Sequence, residues 1–217
     1  IILFMKIKIL IPVFNDWQSV LKLVSEINNL SIDSKFEVSI VIVNDASSHD
    51  RQEEDKNLEN IHSIKILNMK INQGHARCIA TGLKYIYEKE NFDYVIPMDG
   101  DGEDRPEEIK EFLNKIEKSN NKPLIGERIK RSESFLFKIC YQLHKLITLT
   151  FTGKLIKFGN YTCLPKSVVK KMINEKATWN SFSGSLAKIE KDFFRVPSIR
   201  GVRYFGPSKM SFFNLFK

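Results

Sequence analysis

Four carboxylates crowd into six residues at Asp99-Gly100-Asp101-Gly102-Glu103-Asp104. Like charges this dense repel one another unless they are solvated or share a cation. Magnesium and manganese bind through a few carboxylates and complete their shells with diphosphate oxygens. A metal held here would offset the charge that builds on a departing nucleoside diphosphate. Asp and Gly are also ordinary turn residues, so the stretch taken alone reads first as an acidic turn ahead of a helix.

Three further clusters could serve the same chemistry. Val43-Asn44-Asp45-Ala46-Ser47-Ser48-His49-Asp50 follows an apolar run, and an Asp at a strand end can accept a hydrogen bond from a base N–H. Ser47 and Asp50 serve equally as turn and cap residues. Asn72-Gln73-Gly74-His75-Ala76-Arg77 leads into a helical stretch. There Gly74 permits close backbone approach to an anion, and Arg77 can pair with phosphate. Arg200-Gly201-Val202-Arg203-Tyr204-Phe205-Gly206-Pro207-Ser208-Lys209 gathers two arginines and a lysine around a Gly-Pro turn. Arginine forks onto phosphate and lysine supplies a point charge; a solvated basic turn is the plain alternative.

The elements that must position these clusters follow from apolar patterning. Lys6–Val13 reads as a buried strand ended by a turn. Asp16 can cap a helix running to about Asn29, with Val20, Leu21, Leu23, Val24 and Ile27 on its apolar face. Glu37–Val43 is a second strand and Ser63–Leu67 a third. Gly74 precedes a helix to about Glu88, Phe92–Met98 is a fourth strand, and Pro106 opens a helix reaching about Glu117. Pro123–Ile125, Asn160–Leu164 and Val202–Phe205 read as short strands. Ser134–Thr150 and Lys166–Asn174 read as helices, and the apolar, basic stretch from Met210 reads as a terminal helix or a membrane-surface contact. Strands alternating with helices predict an α/β fold with a mainly parallel central sheet. In such sheets ligands bind beyond the carboxyl ends of the strands. Phe14-Asn15-Asp16, Asn44-Asp45 and Asp99-Gly100-Asp101 all fall there.

Composition narrows the class. The chain has 217 residues, enough for one domain with a real core. With 42% hydrophobic and 28% charged residues it is not a disordered chain, and 10 Gly and 7 Pro leave no long flexible linker. Cys78, Cys140 and Cys163 fit neither a zinc site nor a disulfide framework, which suits a cytoplasmic compartment. His49, His62, His75 and His144 make no metal-ligand pair at helical spacing. The apolar opening is interrupted by Lys6 and Lys8, and it is too short and too charged for a membrane span. The net charge of +8 is divided unevenly. Residues 1–127 carry 16 Lys+Arg against 22 Asp+Glu, and residues 128–217 carry 18 against 4. An acidic first half suits a divalent cation. A basic second half suits a phosphate-bearing ligand or an anionic membrane face. The single domain thus divides into a nucleotide- and metal-binding half, 1–127, and a basic half, 128–217, for the acceptor and phosphates.

In this order the clusters resemble the inverting family 2 glycosyltransferases of GT-A fold. Within that family they look most like the branch of dolichyl-phosphate mannose synthase and the bacterial polyprenyl-phosphate glycosyltransferases. Ile11-Pro12-Val13-Phe14-Asn15, Val43-Asn44-Asp45-Ala46-Ser47, Asn72-Gln-Gly74, Met98-Asp99-Gly-Asp101 with Pro106, and Arg203-Tyr-Phe-Gly206-Pro-Ser208-Lys209 carry the likeness. The resemblance implies a hexosyltransferase that uses Mg²⁺ or Mn²⁺ and a nucleotide-diphospho-sugar. It implies that Pro12, Phe14 and Asn15 line the base pocket and that Asp45 contacts the base. Asp99 would sit near the ribose and diphosphate. Asp101 would bind the metal with Glu103 as a further ligand, and Arg128 and Arg131 would lie near the phosphates. Ser47, Gly74, Arg77, Gly100, Arg203, Ser208 and Lys209 complete the expected donor-binding set.

One departure bears on the far side of the reaction. Gly159-Asn160-Tyr161-Thr162-Cys163-Leu164 falls where relatives carry a Gly-Asp-Phe-Arg-Leu type segment. Asn160 stands at the position of a proposed catalytic base and cannot take a proton. A sugar hydroxyl needs a base, whereas a phosphate is already an anion. Asn160 therefore leans toward a polyprenyl phosphate acceptor at the inner membrane face. A saccharide acceptor in cell-surface polysaccharide synthesis is the alternative, and a degenerate nucleotide-sugar-binding module without transfer activity is another. No Gln-x-x-Arg-Trp motif of processive polymerising relatives is present. Nucleotidyl transfer would need a Gly-rich, Arg-containing loop after the first strand, and a Rossmann site would need G-x-G-x-x-G there; Pro12-Val-Phe-Asn-Asp is neither. No nucleic-acid-binding module is recognisable.

Overall fold

A computed structural model of the chain describes residues 4–49, 58–130 and 158–206. The described elements run β1 (Met5–Val13), α1 (Trp17–Asn28), β2 (Phe36–Asn44), β3 (Ser63–Asn68), α2 (His75–Lys89), β4 (Tyr94–Pro97) and α3 (Glu108–Leu113). They continue with β5 (Leu124–Lys130), β6 (Thr162–Pro165), α4 (Lys166–Asn174), α5 (Phe182–Ile189) and β7 (Phe194–Ile199). The strands form one sheet in the order β3-β2-β1-β4-β6-β5-β7. β1, β2, β3 and β4 pair in parallel, β6 runs antiparallel to both β4 and β5, and β7 returns parallel to β5. The expected α/β fold with a mainly parallel sheet is what the chain adopts.

Successive residues of a strand face opposite sides of the sheet, so a strand covered on both faces is apolar throughout. Ile7, Ile9 and Ile11 of β1, with Ile40 and Ile42 of β2, pack under α1 and α3 against Val20, Leu23, Ile27 and Phe112. Leu10, Val41 and Val43 face the other way, under α2, α4 and α5, and meet Ile79, Leu83, Val169 and Leu186. This two-sided burial fixes the register of β1 against its neighbours, because a slip of one residue would exchange the two cores.

Several expectations shift. Helix α3 is shorter than the predicted span to Glu117; a 3-10 turn at Glu117–Ser119 follows it, closed by Asn120 in the left-handed region. Val202–Phe205 is not a strand. The last strand among the described residues is Phe194–Ile199, which the patterning missed because Pro197 interrupts it; proline is tolerated there because β7 is an edge strand. Helix α5 was also missed, and Ser181 caps it by accepting a hydrogen bond from the Gly184 N–H at 3.2 Å. The helix expected over 134–150 and the segment from Met210 lie outside the described residues. Among the described residues no helix is long and apolar enough to cross a membrane.

Candidate active site

Parallel β1, β2 and β4 end side by side. Val13 is level with Asn44, the Asp45 N–H donates to the Val13 carbonyl at 2.8 Å, and the Met98 N–H donates to the Leu10 carbonyl at 3.0 Å. The sheet therefore delivers Phe14–Asp16, Asp45–Ser48 and Asp99–Asp104 to one edge, as the pattern of strand ends implied.

The first two loops lock each other. Asn15 sits at φ 51°, accepts hydrogen bonds at its Oδ1 from the Ser48 N–H (2.8 Å) and hydroxyl (3.1 Å), and donates its own N–H to Ser47 Oγ at 2.9 Å. Asp45 is buried, and its two carboxylate oxygens accept from the Gln73 and Gly74 N–H groups, each at 2.8 Å. Its visible role is thus to pin the loop that opens α2, a role the expectation of a base contact did not include. Gly74, at φ 91°, occupies a backbone region that side chains rarely adopt and begins the helix with no described residue crowding the place a Cβ would take. Arg77 is exposed one turn on, 3.4 Å from Gln73 Oε1. Pro12 is buried within β1, whereas Phe14 is 39% exposed at the strand mouth. Gly100 packs closely on Val20, Ile11 and the Pro12 carbonyl, so a larger residue there would push the acidic turn off the sheet.

The acidic turn is folded on itself and clasped from above. Asp104 is buried and its Oδ2 accepts from the Asp99 N–H at 2.9 Å; Asp101 Oδ1 accepts from the Glu103 N–H at 3.0 Å. Residues 200–205 lie across it. The Gly201 N–H donates to the Glu103 carbonyl at 2.8 Å and the Tyr204 N–H donates to the Asp101 carbonyl at 2.9 Å. Arg203 forks between Asp101 Oδ2, at 2.5 Å, and Asp16, while Arg200 pairs with Glu103. Two glycines make this approach possible. A Cβ on Gly201 would lie 2.3 Å from the Gly102 carbonyl, and one on Gly102, at φ 90°, would lie 2.6 Å from the Tyr204 ring. The Tyr204 hydroxyl donates to Glu26 on α1.

The structure corrects the reading of Asp16. Its side chain makes no cap hydrogen bond to α1; it accepts from the Ser19 hydroxyl at 2.7 Å and pairs with Arg203. Arg203 therefore meets carboxylates here rather than standing free for phosphate. Arg128, on β5, reaches the same turn, 3.8 Å from Asp104 Oδ1. Even so, the turn holds more negative charge than these partners cancel. Burial, with Asp99 and Glu103 alongside, raises the Asp101 carboxyl above the ordinary carboxylate range, and burial beside Asp99 raises Asp104 further.

The remaining face of the turn meets α2. The Nε2 of His75 lies 3.3 Å from Asp99 Oδ1 and 2.7 Å from Asn160 Nδ2. Asp99 Oδ1 is buried and makes no hydrogen bond within the described residues. Sequence spacing could not have found this contact, since Asn160 stands 85 residues from His75. Asp16, Asp104, Arg200 and His75 stand within the polar clusters, but the sequence assigned none of them a role in donor binding, metal binding or catalysis. Arg131, Ser208 and Lys209 lie outside the described residues.

No three His, Cys, Asp or Glu side chains among the described residues are arranged to hold a metal ion. Magnesium and manganese need no such cage, since they often use one or two carboxylates and take their other ligands from substrate phosphates and water. Asp101, raised by burial and by the carboxylates beside it, suits that mode. Glu103 is turned to Arg200 and would reach a metal only after leaving it.

Comparison with known proteins agrees with this geometry. Residues 8–182 match the profile of Glycosyl transferase family 2. An uncharacterized protein of Methanocaldococcus jannaschii is 30% identical over 122 residues, covering 55% of this chain and 50% of that protein. The chain thus spans about half the length of that curated relative. The crystal structure of S. aureus TarS 1–349 aligns over 91% of this chain and 59% of its own, with a TM-score of 0.57 and 12% identity. Glucosyl-3-phosphoglycerate synthase from Mycobacterium tuberculosis aligns over 94% and 73%, with a TM-score of 0.59 and 9% identity. These two likenesses are of fold, and the fold is GT-A. The sheet that gathers its loops at one edge and the profile spanning 8–182 together make this chain a member of glycosyl transferase family 2.

Proposed function

We propose that this chain transfers a hexose, with inversion, from a nucleotide-diphosphate donor to an acceptor, with Mg²⁺ or Mn²⁺ as cofactor. The observation that carries this is Asp101, held at the carboxyl edge of a parallel sheet among carboxylates that arginines only partly neutralise. Asp101, with Glu103 as a second candidate, would hold the ion, whose chemistry when bound is to neutralise the leaving diphosphate. Phe14 and Asp45 would receive the base, Asp99 the ribose and diphosphate, and Arg77, Arg128 and Arg203 the phosphates. Structural neighbours support a donor of this class: one TarS structure is a complex with UDP, and one of glucosyl-3-phosphoglycerate synthase holds Mn²⁺, UDP-glucose and phosphoglyceric acid. The test is release of nucleoside diphosphate from UDP-sugars and GDP-mannose with Mn²⁺ or Mg²⁺. Full metal-dependent turnover by Asp101→Ala would sink the reading.

The acceptor has two readings. A polyprenyl phosphate at the inner membrane face is supported by the basic second half and by Val202 and Phe205, exposed at 86% and 36% on the clasp beside the acidic turn. A saccharide hydroxyl is supported by His75. Asn160 alone argued against a proton-bearing acceptor, yet an imidazole lies against its amide. We favour the hydroxyl for that reason. Transfer to polyprenyl phosphate in vesicles, with none to soluble saccharides, would reverse the preference.

A further inference from the structure

We propose that His75 supplies the proton-accepting group that Asn160 lacks, so that the base of this transferase comes from the start of α2 instead of the strand segment at 159–164. The proposal rests on the hydroxyl-acceptor reading above. Three elements converge to build the group. Asp45 pins the Gln73–Gly74 backbone and so sets where α2 begins. Asn160 lies two residues before β6, and Asp99 two residues after β4; these strands are neighbours in the sheet, which brings both side chains to Nε2 of His75.

Apart from Asp99, whose Oδ1 faces His75 itself, the other candidates for a base are already committed. Asp101 is bound to Arg203, Glu103 to Arg200, and Asp104 is buried against the Asp99 N–H. Asp45 has both oxygens on backbone N–H groups. His75 has a 41% exposed side chain, so a ligand can reach it. Histidine is the side chain whose ordinary titration lies nearest neutrality.

The neighbours of Nε2 fit both states of such a base. Before reaction the Asn160 amide N–H donates to the Nε2 lone pair, which leaves the ring proton on Nδ1. An acceptor O–H would take the amide's place at Nε2. As the acceptor oxygen's electron pair forms the bond to the anomeric carbon, its proton passes to Nε2. The bond from that carbon to the diphosphate breaks, and its electron pair leaves on the diphosphate oxygen. The new Nε2–H then faces Asp99 Oδ1, a buried carboxylate oxygen otherwise without a hydrogen bond among the described residues. Asp99 would balance the imidazolium, and Asn160 would act as a positioning residue.

The experiment needs no identified acceptor, because water is a proton-bearing nucleophile and azide is an anionic one with no proton to lose. The full chain is given UDP-glucose, UDP-N-acetylglucosamine or GDP-mannose with Mn²⁺, and hydrolysis and glycosyl azide formation are both followed. His75→Gln should lower hydrolysis about a hundredfold, within the usual range for loss of a general base. It should leave donor affinity by calorimetry and the rate of azide transfer close to the parent values. Adding Asn160→Asp to His75→Gln, which returns a carboxylate to the site, should recover hydrolysis. Unchanged hydrolysis in His75→Gln overturns the proposal, as does azide transfer that falls in step with hydrolysis. A parent chain that turns over no donor with either nucleophile sinks the glycosyl-transfer reading itself and this inference with it.

Discussion

Two clusters in this molecule pair carboxylates with basic side chains, and they differ in whether the carboxylates are satisfied. Glu90, at the end of α2, takes Lys8 of β1 at 3.2 Å and Lys65 of β3 at 2.5 Å. Burial alone would raise its proton affinity, but hydrogen bonds from Lys65 and Lys8 outweigh that and hold the carboxyl below its ordinary range. At the acidic turn three arginines meet a surplus of carboxylates. Asp101 and Asp104 are pushed upward, and Asp99 keeps a buried oxygen without a hydrogen bond among the described residues. The first cluster is complete and serves to tie α2 to the sheet. The second is left frustrated by the chain's own groups, and an unmet electrostatic demand of this kind is what a cation or a reacting ligand can answer.

The largest test of that contrast is Asp101→Ala. Metal-dependent release of nucleoside diphosphate should fall by a hundredfold or more, roughly the loss expected when a transition-state charge loses its partner. The melting temperature should fall only modestly, because the burial that disfavours this carboxylate offsets its bonds to Arg203 and the Glu103 N–H. Gly201→Ala comes next. Its Cβ would lie 2.3 Å from the Gly102 carbonyl, so residues 200–205 must lift off the turn. Denaturant unfolding should show a loss of about 1–3 kcal/mol, the usual cost of overpacking.

Arg203→Ala should separate metal binding from turnover. Arg203 occupies Asp101 Oδ2, so its removal frees that oxygen, and Mn²⁺ affinity by calorimetry should tighten about tenfold, or roughly 1.4 kcal/mol. Donor turnover should drop, since the guanidinium is also the nearest candidate for the leaving phosphates. Weaker metal binding would mean that Arg203 organises Asp101 instead of competing for it.

The smallest effect on turnover belongs to the satisfied cluster. Glu90→Gln should leave donor turnover intact and cost about 1–3 kcal/mol of stability at neutral pH, because the buried Lys8 ammonium loses its charged partner. Glu90 loses its proton more readily folded than unfolded. Its contribution is therefore complete above the ordinary glutamate value of about 4.3 and is lost as pH falls toward the lower folded value. The difference in melting temperature between parent and variant should close over that acid window. A large loss of turnover in Glu90→Gln would collapse the distinction between the two clusters.

Much of the candidate site was legible in the sequence because it is built from strand ends. Apolar runs of the right length located β1, β2 and β4, and each was followed by a polar cluster that a parallel sheet must bring to one edge. Lys166–Asn174 was read to the residue, since its apolar positions recur at helical spacing. β7 was missed because Pro197 argues locally against a strand, and only pairing with β5 makes that edge position acceptable. Asp16 was misread for a related reason. An Asp before a helix is the ordinary sign of a cap, and nothing local reveals Arg203 on a segment 187 residues away.

Sequence by itself determined the fold class, the family and the acidic turn, because strand burial and helix periodicity are local patterns and the motifs are contiguous. Tertiary structure alone decided which charges meet: Arg203 between Asp16 and Asp101, Arg200 on Glu103, and His75 between Asp99 and Asn160. Those pairings depend on where β1, β4, β6 and α2 end relative to one another in space. Chain spacing carries no record of that, and so Asn160 looked like the loss of a base until the fold set an imidazole beside it.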